Sequence, residues 1–293
     1  MLLLTGATGL VGSTLLRRLV AEGREVRCLV RDPRRLGPMR VRVQIALGDL
    51  ADPPSFRNAL RGVQTVVHLA AAIRDQPRGS IEELDGIATW RMVEAAERQG
   101  VERFVFFSAL GATPHHRTRC LRAKALAEQA VREADLHSTV FAPSIVYAPG
   151  DPWLRLLERL ALLPIMPVSG RGLALFQPIW AEDVAGCVIA SLQGVPAESP
   201  ERYELGGPET LSHNEIVRLL LRSLGHRRPL LHVPTPLVSR SLRLLERIAG
   251  PSAFATWDEA ELMEVSMASP RGAADTEALG VVPQRMAAVL GAR

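Results

Sequence analysis

Lysine is almost absent from this sequence. Of the 35 basic residues in the 293-residue chain, only Lys124 is lysine, and the rest are arginine. Charge of one sign is also scarce, with a net excess of +4. The basic pairs Arg17–Arg18, Arg34–Arg35 and Arg227–Arg228 are scattered with acids between them. Neutralising a phosphate backbone needs many cations on one face, so no nucleic-acid partner is expected. Cysteine is limited to Cys28, Cys120 and Cys187. Their wide separation excludes a disulfide framework and zinc spacing, so no metal is expected and a reducing cytoplasm is the default location. No apolar run approaches the roughly 18 residues that span a bilayer, and no basic-then-apolar signal segment is apparent. A transmembrane segment and a secretory route are therefore not expected.

What the chain has in ordinary measure is apolar residues, 47% of the total, enough to build a core. In the first half, short apolar runs alternate with longer helical patterns. Strands are predicted at 2–4, 26–30, 43–47, 65–69, 103–107 and 139–142. Helices are predicted at about 10–22, 81–99 and 120–134, the first stopped by Gly23 and the second by Gly100. Alternation of this kind builds βαβ units and a parallel sheet, whose central strands are buried on both faces. Val66–Ala70 and Phe104–Phe107 read that way. The expected architecture is α/β, a doubly wound parallel sheet with a ligand crevice at the carboxyl ends of its strands.

After Pro149-Gly150 proline becomes frequent, and two apolar helices carrying arginines are predicted at 153–163 and 236–248. Residues 1–150 are expected to form the sheet domain, with 176–192 returning to it. Residues 151–175 and 193–293 are expected to form a smaller, mostly helical C-terminal lobe over the crevice.

Gly6, Gly9 and Gly12 stand between the first strand and the first helix as G-x-x-G-x-x-G. Glycine permits a tight turn and close backbone approach, and a helix N-terminus offers free N–H groups to a pyrophosphate. The whole segment Gly6, Ala7, Thr8, Gly9, Leu10, Val11 and Gly12 is therefore a candidate dinucleotide loop. At the end of strand two, Arg31-Asp32-Pro33 is followed by Arg34 and Arg35. An acid there accepts from ribose hydroxyls and favours NAD(H), whereas an arginine pairs with a 2′-phosphate and favours NADP(H). Arg31 comes first, so NADP(H) is favoured, with NAD(H) left open by Asp32.

The loop Thr5-Gly-Ala-Thr-Gly-x-x-Gly12 resembles that of the short-chain dehydrogenase/reductase superfamily, in its extended and atypical branches. These include NAD-dependent epimerases and dehydratases, relatives of the complex I 39-kDa subunit, and NmrA-like proteins. The resemblance recurs at Gly48-Asp49-Leu50, His68-Leu69-Ala70-Ala71, Phe107-Ser108, Pro143–Gly150, Glu182–Ala185 and Tyr203–Pro208, spanning most of residues 1–215. It implies a Rossmann-type fold. It also implies adenine contacts from Asp49 and Leu50, cofactor contacts from Ala70 and Ala71, and a segment with Pro143 and Ile145 passing the nicotinamide.

The same resemblance implies a Ser, Tyr and Lys that work together, the phenol and the lysine sharing one helical face at i and i+4. Ser108 and Lys124 occupy the expected places, and Glu128 fits the helix pattern. Four residues before Lys124, however, stands Cys120. A thiol beside a cation is a weak substitute for the phenol, or it is an apolar filler. Tyr147 passes near the nicotinamide segment, with packing against the lobe as the alternative. His115 and His116, on the loop before the helix, are candidate surrogate acids or simply solvated. Lys124 is the position where arginine would not serve, because a compact ammonium must fit against a ribose.

Two functions follow as expectations. One is an NADP(H)-dependent oxidoreductase or epimerase-like enzyme on an unidentified small molecule, with a departed Tyr-x-x-x-Lys motif. The other is a non-catalytic NADP(H)-binding structural, assembly or redox-sensing subunit. The helices at 81–99 and 120–134 are the pair through which many similar proteins form homodimers, so a homodimer or larger assembly is compatible with either.

Overall fold

The computed structural model describes residues 1–291 apart from 78, 195–200 and 250–255, and the backbone alone over 244–249. The strands run β1 Leu2–Thr5, β2 Val26–Val30, β3 Gln44–Leu47, β4 Thr65–His68, β5 Arg103–Phe107, β6 His137–Pro143, β7 Val146–Tyr147, β8 Met166–Ser169, β9 Leu175–Phe176, β10 Ile179–Trp180, β11 Arg202–Leu205, β12 Leu211–Ser212 and β13 Leu230–Val233. The α-helices are α1 Leu10–Ala21, α2 Pro53–Phe56, α3 Ala88–Arg98, α4 Arg119–Arg132, α5 Pro152–Leu160, α6 Ala181–Gln193, α7 His213–Ser223, α8 Thr235–Ala249, α9 Trp257–Leu262, α10 Ala274–Ala278 and α11 Met286–Val289.

Seven strands form one parallel sheet in the order β11-β6-β5-β4-β1-β2-β3, the doubly wound arrangement expected of a Rossmann-type fold. Its central strands read as unbroken apolar runs because both faces are covered. In β1, Leu2 and Leu4 face a core shared with Leu15, Leu16 and Leu19 of α1 and Val184 and Val188 of α6. Leu3, between them, faces the opposite core with Met92 and Val93 of α3 and Val131 of α4. Apolar surface removed from water is worth roughly 25 cal/mol per Å², and both layers contribute to the drive to fold.

Three differences from the sequence expectations have physical causes. Residues 202–205, read above with the lobe, add β11 to the central sheet beside β6. Tyr203 and Leu205 are buried while Arg202 and Glu204 are half-buried, the alternation of an edge strand. The C-terminal segment then returns to that edge. Asp275 accepts from the Glu204 N–H at 2.7 Å, and Thr276 donates to the Gly206 carbonyl at 3.2 Å. The helix expected over 81–99 begins with a π-wound turn, Glu82–Ile87, before α3. Gly86 in that turn faces Ala123 of α4.

α5, α7 and short strands β8, β9, β12 and β13 enclose a third core containing Leu154, Leu157, Phe176, Ile216 and Leu220. α7 starts with a reciprocal cap in which Ser212 and Glu215 bond each other's backbone N–H. No helix among the described residues is long and apolar enough to cross a membrane.

Candidate dinucleotide-binding site

The loop between β1 and α1 is built for close approach. Gly6 has φ +69°, and a Cβ there would sit 2.6 Å from the Ala70 nitrogen and the Leu69 carbonyl carbon. A Cβ on Gly12 would lie 2.1 Å from the Gly6 carbonyl oxygen. Only glycine lets α1 start this near the strand ends. Gly9 caps α1 with no side-chain bond, and the first turn carries no acid. Its N–H groups and positive dipole end are thus left to an anion.

In front of this loop lies a cavity of about 510 Å³, lined by Gly6, Ala7, Thr8 and Gly9 among others. Leu10, Val11 and Gly12 lie outside its wall. Val11 packs on the α1 core, and Gly12 sets the loop's closeness. The ends of β2, β3 and β4 complete the cavity with Arg31, Asp32, Arg35, Asp49, Leu50, Ala70 and Ala71. Asp32 spends one carboxylate oxygen on the Arg34 N–H at 3.0 Å, capping the turn that follows. The Arg31 guanidinium reaches across to Gln76 Oε1 at 2.9 Å. The Ala70 N–H donates to Thr5 Oγ1 at 3.2 Å, which fixes the end of β4 beside the glycine loop.

Lys124 is buried on α4. Its Nζ donates to the Phe107 carbonyl at 3.0 Å, lies 5.2 Å over the Phe106 ring and sits 3.7 Å from Asp85 Oδ2. The lysine therefore meets the carboxyl end of β5, one residue before Ser108. Ser108 is buried, and its Oγ has no hydrogen-bond partner among the described residues. Asp85 went unrecognised in the sequence. Its Oδ1 accepts from the Ala72 N–H at 2.6 Å, while Oδ2 has no hydrogen-bond partner among the described residues. Burial raises the Asp85 carboxyl above its usual range, and the Lys124 charge opposes that rise. Helical phase was the available signal, since Asp85 shares the inward stripe of Ile81, Ala88 and Met92.

The tyrosine position holds no acid of comparable reach. Cys120 packs with Ile81 and Ala123, and burial pushes its thiol up to about 11, with Asp85 adding to the rise and Lys124 opposing it. Tyr147 is fully buried in the lobe core, its hydroxyl without a partner among the described residues and its pKa raised chiefly by burial. His116 Nδ1 is engaged by the Thr118 hydroxyl and N–H at 2.9 and 3.0 Å, and burial lowers its pKa. His115 is exposed. Glu128 binds Arg202 and Arg132 at 3.1 and 2.7 Å, tying α4 to β11. Pro143 is buried at the end of β6, and Ile145 lines a second cavity under the lobe. No cluster of metal-ligating side chains occurs among the described residues.

These features define a dinucleotide-binding Rossmann protein. The chain belongs to the NAD(P)H-binding family, whose model matches residues 6–155. It is 30% identical over 226 residues to the mitochondrial NADH dehydrogenase [ubiquinone] 1 alpha subcomplex subunit 9 of Arabidopsis thaliana, covering 73% of this chain and 56% of that one. It therefore spans little more than half the length of that relative. Sterol demethylase protein B of Methylococcus capsulatus is 30% identical over 271 residues, 83% of this chain and 80% of that one. UDP-glucose 4-epimerase of Thermus thermophilus, solved in complex with NAD, has the same fold, with TM-score 0.73, 20% identity and coverage of 99% and 96%.

Proposed function

We propose that this protein is an NADP(H)-dependent oxidoreductase of the atypical short-chain type, acting on a small molecule without the usual tyrosine. The observation that carries the cofactor reading is the end of β2. Arg31 and Arg35 both line the cavity, while Asp32 is committed at one oxygen to its own turn. Two guanidinium groups suit a 2′-phosphate, and Gly6–Gly9 with the α1 N-terminus suits the pyrophosphate. Asp49 and Leu50 would face the adenine, Ala70 and Ala71 the neighbouring ribose, and Lys124 the nicotinamide ribose. Pro143 and Ile145 would flank the nicotinamide, which supplies or accepts hydride when bound.

The second cavity, of about 530 Å³, supports an enzyme. Its wall includes Ile145 and Val146, which follow directly from the end of β6. Proton transfer to a substrate oxygen would fall to a group other than Cys120, whose side chain is buried and shorter than a phenol. Ser108, with its free Oγ, would orient that oxygen.

The second reading, a non-catalytic NADP(H)-binding subunit, is favoured by one observation: the position four residues before Lys124 carries a buried thiol in place of a phenol. The Arabidopsis relative carries the name of a complex subunit and the Methylococcus relative that of a demethylase protein, so relatives stand on both sides. Ile87, Trp90 and Leu126 are exposed on the neighbouring 82–98 and α4 helices, which supports a homodimer or a larger assembly. Three buried free thiols fit a reducing compartment such as the cytoplasm.

Native mass spectrometry of the freshly purified protein tests the cofactor reading, with stoichiometric NADP(H) expected. Hydride transfer measured with the NADPH-loaded protein across a panel of carbonyl compounds separates the two functions. Turnover of any member supports the enzyme, and none across the panel supports the binding subunit.

A further inference from the structure

The second cavity lies beneath the C-terminal lobe, between the end of β6 and helices α5, α7, α8 and α9. Its wall is overwhelmingly apolar, with Trp153, Leu156, Leu160, Val217, Leu262 and Met263 contributing. No residue of α9 is fully buried, so the helix covers the cavity without filling it.

Two lining residues break the apolar pattern. His213, the first residue of α7, is 5% exposed, yet neither ring nitrogen has a hydrogen-bond partner among the described residues. Phe176 meets its ring edge-on, with centroids 6.4 Å apart, which fixes the imidazole plane but satisfies no nitrogen. Ser169, at the end of β8, likewise has a buried Oγ with no partner. Buried polar atoms are nearly always paired in folded proteins. Here the two orphaned groups share the wall of an open cavity.

The chemistry of the wall narrows what enters. Burial lowers the His213 pKa to about 4, so near neutral pH the ring is uncharged and offers one donor and one acceptor. A serine hydroxyl offers the same pair. Among the described residues, the charged side chains on this wall are Arg74 and Glu259, paired with each other at 2.7 Å. Thr256 is engaged in capping α9 through the Glu259 N–H. A phosphate, carboxylate or sugar nucleotide would lose its hydration here without an uncommitted cation among the described residues to meet it.

We propose that this cavity binds an apolar, lipid-like small molecule through a single uncharged oxygen, hydroxyl or carbonyl, held by His213 and Ser169. The inference deepens the oxidoreductase reading and rests on it for the reaction, but not for the binding.

The test is calorimetric titration of the NADPH-loaded protein with 1-decanol, decan-2-one, decanoate and UDP-glucose. Saturable binding of the alcohol and the ketone is expected, with decanoate and UDP-glucose at least about tenfold weaker. His213→Phe keeps a flat ring and removes both nitrogens, and should weaken 1-decanol about tenfold. Ser169→Ala should weaken it severalfold, and provides the reading if His213→Phe fails to fold. The proposal is overturned if 1-decanol does not bind saturably, if decanoate or UDP-glucose binds as tightly, or if the folded variants bind 1-decanol like the parent. NADPH titration of the same samples separates the two readings. Retained NADPH binding with failed 1-decanol binding rejects this inference alone, and lost NADPH binding in the parent protein rejects the cofactor reading.

Discussion

The Lys124 ammonium lies 3.7 Å from Asp85 Oδ2, with both side chains almost wholly removed from solvent. The chain's one lysine is thus held by a buried acid from the π-wound turn and by the Phe107 carbonyl at the end of β5. A guanidinium is larger and planar, and cannot occupy the space between the Phe106 ring and that carbonyl in the same way. Lys124→Arg should therefore weaken NADPH binding severalfold in a fluorescence titration. Unchanged affinity would remove the argument that this lysine serves the cofactor.

Asp85→Asn removes the partner of a buried cation. Breaking such a pair costs about 3 kcal/mol, because the remaining charge has no water to return to. Urea unfolding should show a loss of that order. A loss below about 0.5 kcal/mol would mean that the pair is not ionised in the folded protein.

Cys120 is expected to be chemically quiet. Burial pushes its thiol up to about 11 and those of Cys28 and Cys187 to about 12. The native protein should resist iodoacetamide at pH 7.5 and should label at all three thiols only after denaturation. Cys120→Ala should leave NADPH affinity unchanged. Fast labelling of Cys120 in the native state would reinstate it as a reactive group.

Acid should destabilise the fold through two buried imidazoles. Burial lowers His68 to about 3, with the Lys124 charge adding to the shift, and lowers His213 to about 4. Their ordinary value is 6.5, so below that pH the unfolded chain binds protons that the folded chain refuses. The stability they confer is complete above pH 6.5 and is lost as pH falls toward the folded values. Each contributes a loss of about 2 kcal/mol between pH 7 and pH 5. His213→Phe should reduce the pH dependence of urea unfolding over that interval by this amount. An unaltered pH dependence would show that His213 is not held neutral by burial.

Much of the sheet was legible because its signals are local. β1, β4 and β5 are apolar runs bounded by turn residues, and Gly6 and Gly12 are where backbone meets backbone. The position of β11 was not legible, because its alternation covers only four residues and its partner β6 lies some sixty positions earlier. In the candidate site, composition singled out the lone lysine and its place after a strand singled out Arg31; the structure buries the first at the end of β5 and puts the second on the cavity wall. Asp85, His213 and Ser169 were missed for a common reason. A polar residue is ordinarily read as solvated, and only the packing shows that no water reaches these side-chain atoms.

The central claim is that the cavity beside Gly6–Gly12 selects NADP(H) through Arg31 and Arg35. It is tested most directly by titrating the protein with NADPH and with NADH under the same salt conditions, then repeating both with Arg31→Ala/Arg35→Ala. The account predicts NADPH tighter by about tenfold or more, with that preference lost in the double variant. NADH binding as tightly as NADPH to the parent protein would contradict it.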